Sequence, residues 1–138
     1  MMLLDTNVLI YASDERAKHC RWARRMIAEG VSGDGAAVNA VSVAEVCVGD
    51  AEPETVADRI RSWGVAVLDV PAAASEVCAR AYLTYRMRRK ADSGKAAPAV
   101  PLPDFLIGAH AQVMGWTLAT ADADRFKTYF PAVPLRSP

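Results

Sequence analysis

The sequence predicts an α/β fold: an α/β/α sandwich built on a central, mostly parallel sheet of four to five strands. Three observations carry this. Short continuous apolar runs alternate with stretches of helical periodicity along the chain, the pattern of strands covered on both faces and joined by crossover helices. The 138 residues fit a single domain, 1–138, and show no internal repeat. Apolar residues make up 52% of the chain, enough to bury a core without disulfides or a structural metal.

Taken in order, Met1 to Leu4 is a short apolar strand stopped by Asp5, Thr6 and Asn7, three residues that favour helix N-caps. A helix follows from about Asn7 to Ser13. The next, Arg16 to Glu29, carries Cys20, Ala23, Met26 and Ile27 at helical spacing, and Gly30 with the S-G-D-G stretch ends it. Ala36 to Asn39 is a second strand. Ser42 opens a helix that runs to about Val48 and stops at Gly49. Pro53 to Trp63 begins on proline, the favoured first helical position, and Val65 to Leu68 is a third strand. A long helix spans Ala72 to about Lys90, alanine-rich and then basic. Ala91 to Pro101 is the one clear loop. Pro103 to Met114 is helical, Trp116 to Ala119 is the fourth strand, and Ala123 to Tyr129 is a short helix. Val133 to Leu135 is at most an edge strand, because Pro131 and Pro134 exclude a central place.

Composition excludes little about partners. The formal net charge is zero, so charge alone does not point to nucleic acid. Cleavage through bound cations depends less on protein charge, because the metal itself attracts phosphate. Three widely spaced cysteines (Cys20, Cys47 and Cys78) without a C-x-x-C predict small buried hydrophobes in a reducing compartment. No run approaches the roughly 18 apolar residues of a membrane span. The start M-M-L-L-D-T-N lacks a basic region and meets an acid at position 5, which is unlike a signal peptide. A cytoplasmic protein is expected.

In a parallel sheet the ligand site lies outside the carboxyl ends of the strands, so acids at strand-to-helix junctions carry the functional reading. There are four, and each has a structural alternative. Asp5 closes the first strand and could be a helix cap. Glu45, in S-V-A-E-V, could complete a capping box with Ser42. Asp104, beside Pro103, could simply complement the helix dipole. Asp122, in T-A-D-A-D-R-F, could cap the last helix, and Asp124 competes with it as the fourth acid. Four carboxylates converging without a cation would repel one another. No Lys or Arg lies within three residues of Asp5, Glu45 or Asp104, and only Arg125 lies that close to Asp122. Hard oxygen ligands without His or Cys select Mg²⁺ or Mn²⁺ over zinc. Such cations activate water and clamp a phosphodiester, so phosphoryl-bond hydrolysis is the expected chemistry.

The segments L-L-D-T-N-V-L-I, S-V-A-E-V, L-P-D-F-L-I-G-A-H-A and T-L-A-T-A-D-A-D-R-F, in that order across nearly the whole chain, resemble the four signature segments of PIN domains. Their spacing is most similar to VapC-type toxins of bacterial toxin–antitoxin pairs. The resemblance implies a PIN-like fold and a metal-dependent endoribonuclease, with Asp5, Glu45, Asp104 and Asp122 as metal-binding, catalytic acids. It implies Asn7 and Thr120 as supporting polar residues, RNA as substrate, a homodimer, and a cognate antitoxin whose tail occupies the active-site groove. Two departures stand out. Ala121 replaces a frequent arginine, and the loop before Asp104 is long, with the basic run Y-R-M-R-R-K upstream. Within that run Arg86, Arg88, Arg89 and Lys90 are the candidates for holding RNA phosphate, against a plain solvated helix end. His110, on an apolar helix, reads as a core residue rather than a ligand. The competing readings are a non-catalytic PIN-like RNA-binding module and a receiver-like phosphoacceptor domain using Asp5 and Asp69. The receiver reading lacks a lysine after a late strand.

Overall fold

In the computed structural model, which describes residues 1–138, the centre of the sheet is the N-terminal strand β1 (Met2–Leu4). On one side stand β2 (Ala36–Asn39) and β3 (Ala66–Leu68), and on the other β4 (Thr117–Ala119) and β5 (Leu135–Arg136). The order is β3-β2-β1-β4-β5 and every pairing is parallel. The expected sheet of four to five mostly parallel strands therefore has five, all parallel. Register pairs Leu3 with Ala37 and Leu118, and Leu4 with Ala119.

Side chains alternate across a strand, so neighbouring residues serve opposite layers. Leu3, Ala37 and Leu118 join one core with Tyr82, Phe105, Phe126 and Phe130. Leu4, Val38 and Ala119 join the other with Val8, Trp22, Met26 and Ile60. The first layer is formed by α5 (Ala74–Ser93), α6 (Pro103–Met114) and α7 (Ala123–Tyr129). The second is formed chiefly by α1 (Thr6–Ser13), α2 (Cys20–Ser32) and α4 (Val56–Ser62), with α3 (Ala40–Val48) after β2. Burying a Phe such as Phe105, which is fully inaccessible, contributes about 1.5–3 kcal/mol. Gly108 lies where α6 meets Phe130, and a Cβ there would overlap the ring.

Several boundaries differ from the sequence reading. The helix expected from Arg16 begins at Cys20, because the Asp14 carboxylate accepts from the Arg16 amide and holds the chain in a turn. Gly30 does not end α2; it is buried inside it, against Ala36. The 53–63 segment opens as a 3₁₀ turn, Pro53–Thr55, before α4. The long helix runs to Ser93, three residues past Lys90, and ends at Gly94 in the left-handed region (φ 67°). The loop after it is anchored, with Ala97 buried and the Tyr82 hydroxyl donating to the Pro98 carbonyl at 2.6 Å. The last strand is Leu135–Arg136 rather than Val133–Leu135; Pro134 lends β4 only its carbonyl, accepting from the Leu118 amide. Cys20 and Cys78 are buried as expected, whereas Cys47 is half-buried with its thiol near the Pro53 carbonyl. No helix is long and apolar enough to cross a membrane.

Candidate active site

Strand order reverses at β1: its first crossover leads to β2 on one side, and β4 pairs on the other. The crevice outside the carboxyl ends of β1 and β4 is the switch point where ligands bind in open α/β sheets. Asp5 sits there, 4% exposed. One carboxylate oxygen accepts from the Thr6 amide at 2.7 Å, so the cap role is real, but it uses half the group. The other oxygen accepts from the Asn7 side-chain amide and from the Thr120 hydroxyl, both at 2.7 Å. Asn7 in turn accepts from the Ala121 amide at 3.0 Å, which ties the end of β1 to the end of β4. The Thr120 hydroxyl accepts from the Asp122 amide at 3.0 Å. Ala121 thus contributes its backbone to the site.

Burial pushes the Asp5 pKa up from 3.8 to about 6. The Thr120 hydrogen bond opposes that shift, the Asp104 charge adds to it, the Thr6 amide opposes it, and the Glu45 charge adds to it. Asp5 at the end of β1 therefore feels two acids from other elements, Asp104 in the first turn of α6 and Glu45 on α3.

Glu45 corrects the sequence reading in one respect. The capping box with Ser42 does not form. Asn39 caps α3, its side-chain oxygen accepting from the Ser42 amide at 3.1 Å, and the Ser42 hydroxyl is buried without a partner. Released from its own helix end, the Glu45 carboxylate accepts a hydrogen bond from the Thr6 hydroxyl at 2.5 Å. Asp104 follows Pro103 at the start of α6 as expected. Its carboxylate is paired with Arg125, Nη1 to Oδ2 at 2.6 Å. Asp122 stands at the start of α7, exposed and making no cap bond, and Asp124 is exposed in the first turn. Neither figures among the charges acting on Asp5. No three His, Cys, Asp or Glu side chains are already gathered at coordinating distance.

Thr6 and Arg125 are the residues that sequence reasoning missed. Thr6 read as a cap, and nothing local signals that its hydroxyl reaches an acid 39 positions away. Arg125 is close to Asp122 in the chain, yet it pairs with Asp104, 21 positions back.

The basic run lies on α5, with Arg86, Arg88 and Lys90 exposed and Arg89 half-buried. Arg89 donates to the Tyr85 hydroxyl at 3.0 Å and Arg88 lies 5.8 Å over the Tyr129 ring. Tyr85, Phe105 and Tyr129 pack together, so this aromatic cluster connects the basic helix face to Asp104 and Arg125. His110 is 2% exposed, 3.4 Å from the Asn39 amide, and burial lowers its pKa. It is a core residue. A groove of about 990 Å³ lies between α1, α2, α3 and α4, with Ile10, Ile27, Val46, Ile60 and Trp63 among its walls. Of the four acids it is lined by Glu45 alone, so it adjoins the acidic crevice without containing it.

The donor set fits a hard divalent cation. Its charged groups are all carboxylates apart from Arg125, and Asp5 carries a penalty from burial and two neighbouring acids that its hydrogen bonds offset only in part. A cation that keeps several waters and takes one or two carboxylates, as Mg²⁺ does, needs no closed cage.

The chain is similar in fold to a chain of VapBC-1 from nontypeable Haemophilus influenzae (20% identity, 99% of this chain and 96% of that one, TM-score 0.68). It is likewise similar to a chain of DNA-bound VapBC from Salmonella typhimurium (18%, 99% and 96%, TM-score 0.66). A third likeness is to a chain of FitAcB from Neisseria gonorrhoeae (21%, 100% and 98%, TM-score 0.59). No curated protein matches the sequence significantly. The sequence model of the PIN domain family matches residues 2–130, nearly the whole length, and this chain belongs to the PIN domain family.

Proposed function

We propose that this protein is a divalent-metal-dependent endoribonuclease, the VapC-type toxin of a toxin–antitoxin pair, hydrolysing RNA phosphodiester bonds with water. The observation that carries the reading is the Asp5 carboxylate. It is held in place by Thr6, Asn7 and Thr120 at the end of the central strand and faces the charges of Asp104 and Glu45.

Asp5, Glu45, Asp104 and Asp122 hold the cation, Mg²⁺ or Mn²⁺, Asp122 being closer to its strand end than Asp124. A cation so held supplies a water of lowered pKa and neutralises phosphate charge for in-line displacement. Asn7 and Thr120 are positioning residues: each spends a donor on the same Asp5 oxygen and fixes the direction of the carboxylate. Thr6 does the same for Glu45. Arg86, Arg88, Arg89 and Lys90 hold the RNA backbone without reading bases, and the Tyr85–Phe105–Tyr129 cluster links that face to the crevice.

The solved likenesses are complexes described as VapBC and FitAcB, and another is described as a toxin–antitoxin complex from Klebsiella pneumoniae. On that basis the partner is a cognate antitoxin. The 990 Å³ apolar groove ending at Glu45 suits an amphipathic helix whose tail reaches the acids. The active species is a homodimer acting in the cytoplasm.

The test is cleavage of RNA by purified protein with Mg²⁺ or Mn²⁺, set against Asp5→Asn and Asp104→Asn. Asparagine caps a helix about as well as aspartate, so Asp5→Asn keeps its bond from the Thr6 amide, and Asp104→Asn keeps an acceptor for partly exposed Arg125; circular dichroism checks that both variants are folded. Within one cation-holding unit a single loss removes nearly all activity. Near-wild-type cleavage by both variants reduces the acids to caps. RNA binding without cleavage by the wild type leaves the non-catalytic binding module.

A further inference from the structure

Of the four acids, only Asp104 has a cationic partner. That partner, Arg125, is not a loose surface cation. Its side chain is 33% exposed and Asp104 is 30% exposed, whereas in each other ion pair one partner is about half exposed or more. The guanidinium lies 5.7 Å over the Tyr85 ring and 6.0 Å over that of Phe105. Phe105 is fully buried and packed against Tyr85 and Tyr129. The aromatic faces hold the charge where it is, through their quadrupoles and by excluding water from one side. The pair also joins the first turn of α6 to the first turn of α7.

We propose that Arg125 is the built-in counter-ion of Asp104, a positioning residue whose charge a divalent cation must overcome before it can use that carboxylate. The inference rests on reading the acids as cation ligands, and adds that one of them is already compensated. A guanidinium does not lose its proton in a protein, so the competition does not fade at alkaline pH. The hydrogen bond occupies Asp104 Oδ2, which leaves the site with two uncompensated carboxylates nearby, Asp5 and Glu45. Arg125 thus sets the cation affinity low while keeping Asp104 aimed, and its stacking contacts hold it beside the site when Asp104 is taken by a metal.

The test measures Mn²⁺ binding by calorimetry, without RNA and at low ionic strength, on wild type, Arg125→Met and Arg125→Lys. Methionine keeps apolar contact with Tyr85 and Phe105 while removing the charge; lysine keeps the charge. Arg125→Met is expected to bind Mn²⁺ roughly tenfold tighter, the Coulomb effect of one nearby charge discounted for partial exposure, with Arg125→Lys within about threefold of wild type. Unchanged or weaker binding by Arg125→Met, with wild type still binding, overturns this proposal and leaves the metal reading standing. Absence of binding by all three at millimolar Mn²⁺ overturns both. A second measurement needs no variant: in the wild type, Mg²⁺ should shift the arginine side-chain NMR signal of Arg125 and speed its hydrogen exchange. An Arg125 signal indifferent to Mg²⁺ also overturns the proposal.

Discussion

Replacing Asp5 by asparagine should change how the stability of this protein depends on pH, in a direction and size the structure sets. The Asp5 carboxyl titrates near 6 in the fold and near 3.8 when free. Between those values the folded state holds the proton more tightly than the unfolded state, so stability from this group is full only well below 3.8. It is lost as pH rises through about 6. The gap corresponds to about 3 kcal/mol, undiscounted because the group is buried. Asparagine keeps an acceptor for the Thr6 amide but sets an amide nitrogen against the donors of Asn7 and Thr120. That is a cost of about 1–3 kcal/mol, and it does not vary with pH. The informative quantity is therefore the wild type minus variant difference, measured by urea denaturation in chelator at pH 4 and pH 7. The difference should move by about 2 kcal/mol in favour of the variant on going from pH 4 to pH 7, because the unfolded carboxyl is already partly ionised at pH 4, or on the order of 7 °C in melting temperature. The lowered pKa of buried His110 works in the opposite direction, since its stability is lost as pH falls, but it is common to both proteins and cancels. A difference constant to within about 0.5 kcal/mol across this range would refute the picture of a buried carboxylate held against two neighbouring acids.

Saturating Mn²⁺ should flatten the same wild-type pH slope, because a bound cation favours the ionised carboxylate; melting curves in chelator and in millimolar Mn²⁺ check this. Thr6→Val, which removes the side-chain hydrogen bond to the Glu45 carboxylate, should lower RNA cleavage roughly tenfold or more, in line with the worth of a bond to a charged group, and Thr6→Ser should restore it. Replacing Arg86, Arg88, Arg89 and Lys90 together by alanine should weaken RNA binding and reduce its salt slope; an unchanged slope in a filter-binding titration marks the run as a solvated helix end. Gly108→Ala should destabilise by about 1–3 kcal/mol by overpacking, because the new methyl meets the Phe130 ring, and denaturant midpoints read this directly.

The apolar alternation of strands and helices was legible in the sequence because a strand buried on both faces has to be apolar at every position. Leu3 and Leu4 feed opposite cores, and that requirement is local enough to be written in four residues. Asp5 was legible for a related reason: it closes β1, and a parallel sheet puts strand ends and helix starts side by side. Asp104 is no strand-to-helix junction, since α6 follows α5 and a loop, and the packing of α6 beside the sheet is what brings its first turn to Asp5. Boundaries were less legible, since the turn at Asp14 and the cap at Asn39 rest on which side chain reaches which amide.

What the tertiary structure alone decided is the pairing of polar groups across long separations. The sequence offered Ser42 as the partner of Glu45, one helical turn away, and the fold supplied Thr6 instead. It showed Arg125 near Asp122, and the packing of α6 against α7 turned it to Asp104. It gave three equivalent caps at 5–7, and the approach of β4 to β1 divided their work: Asp5 receives, Asn7 bridges, and Thr120 arrives from 115 positions away. Apolar burial is non-directional and follows composition and period, so a one-dimensional pattern encodes it. Hydrogen bonds and ion pairs depend on distance and angle within a few tenths of an ångström, and only the assembled sheet and its two helical layers bring those atoms together.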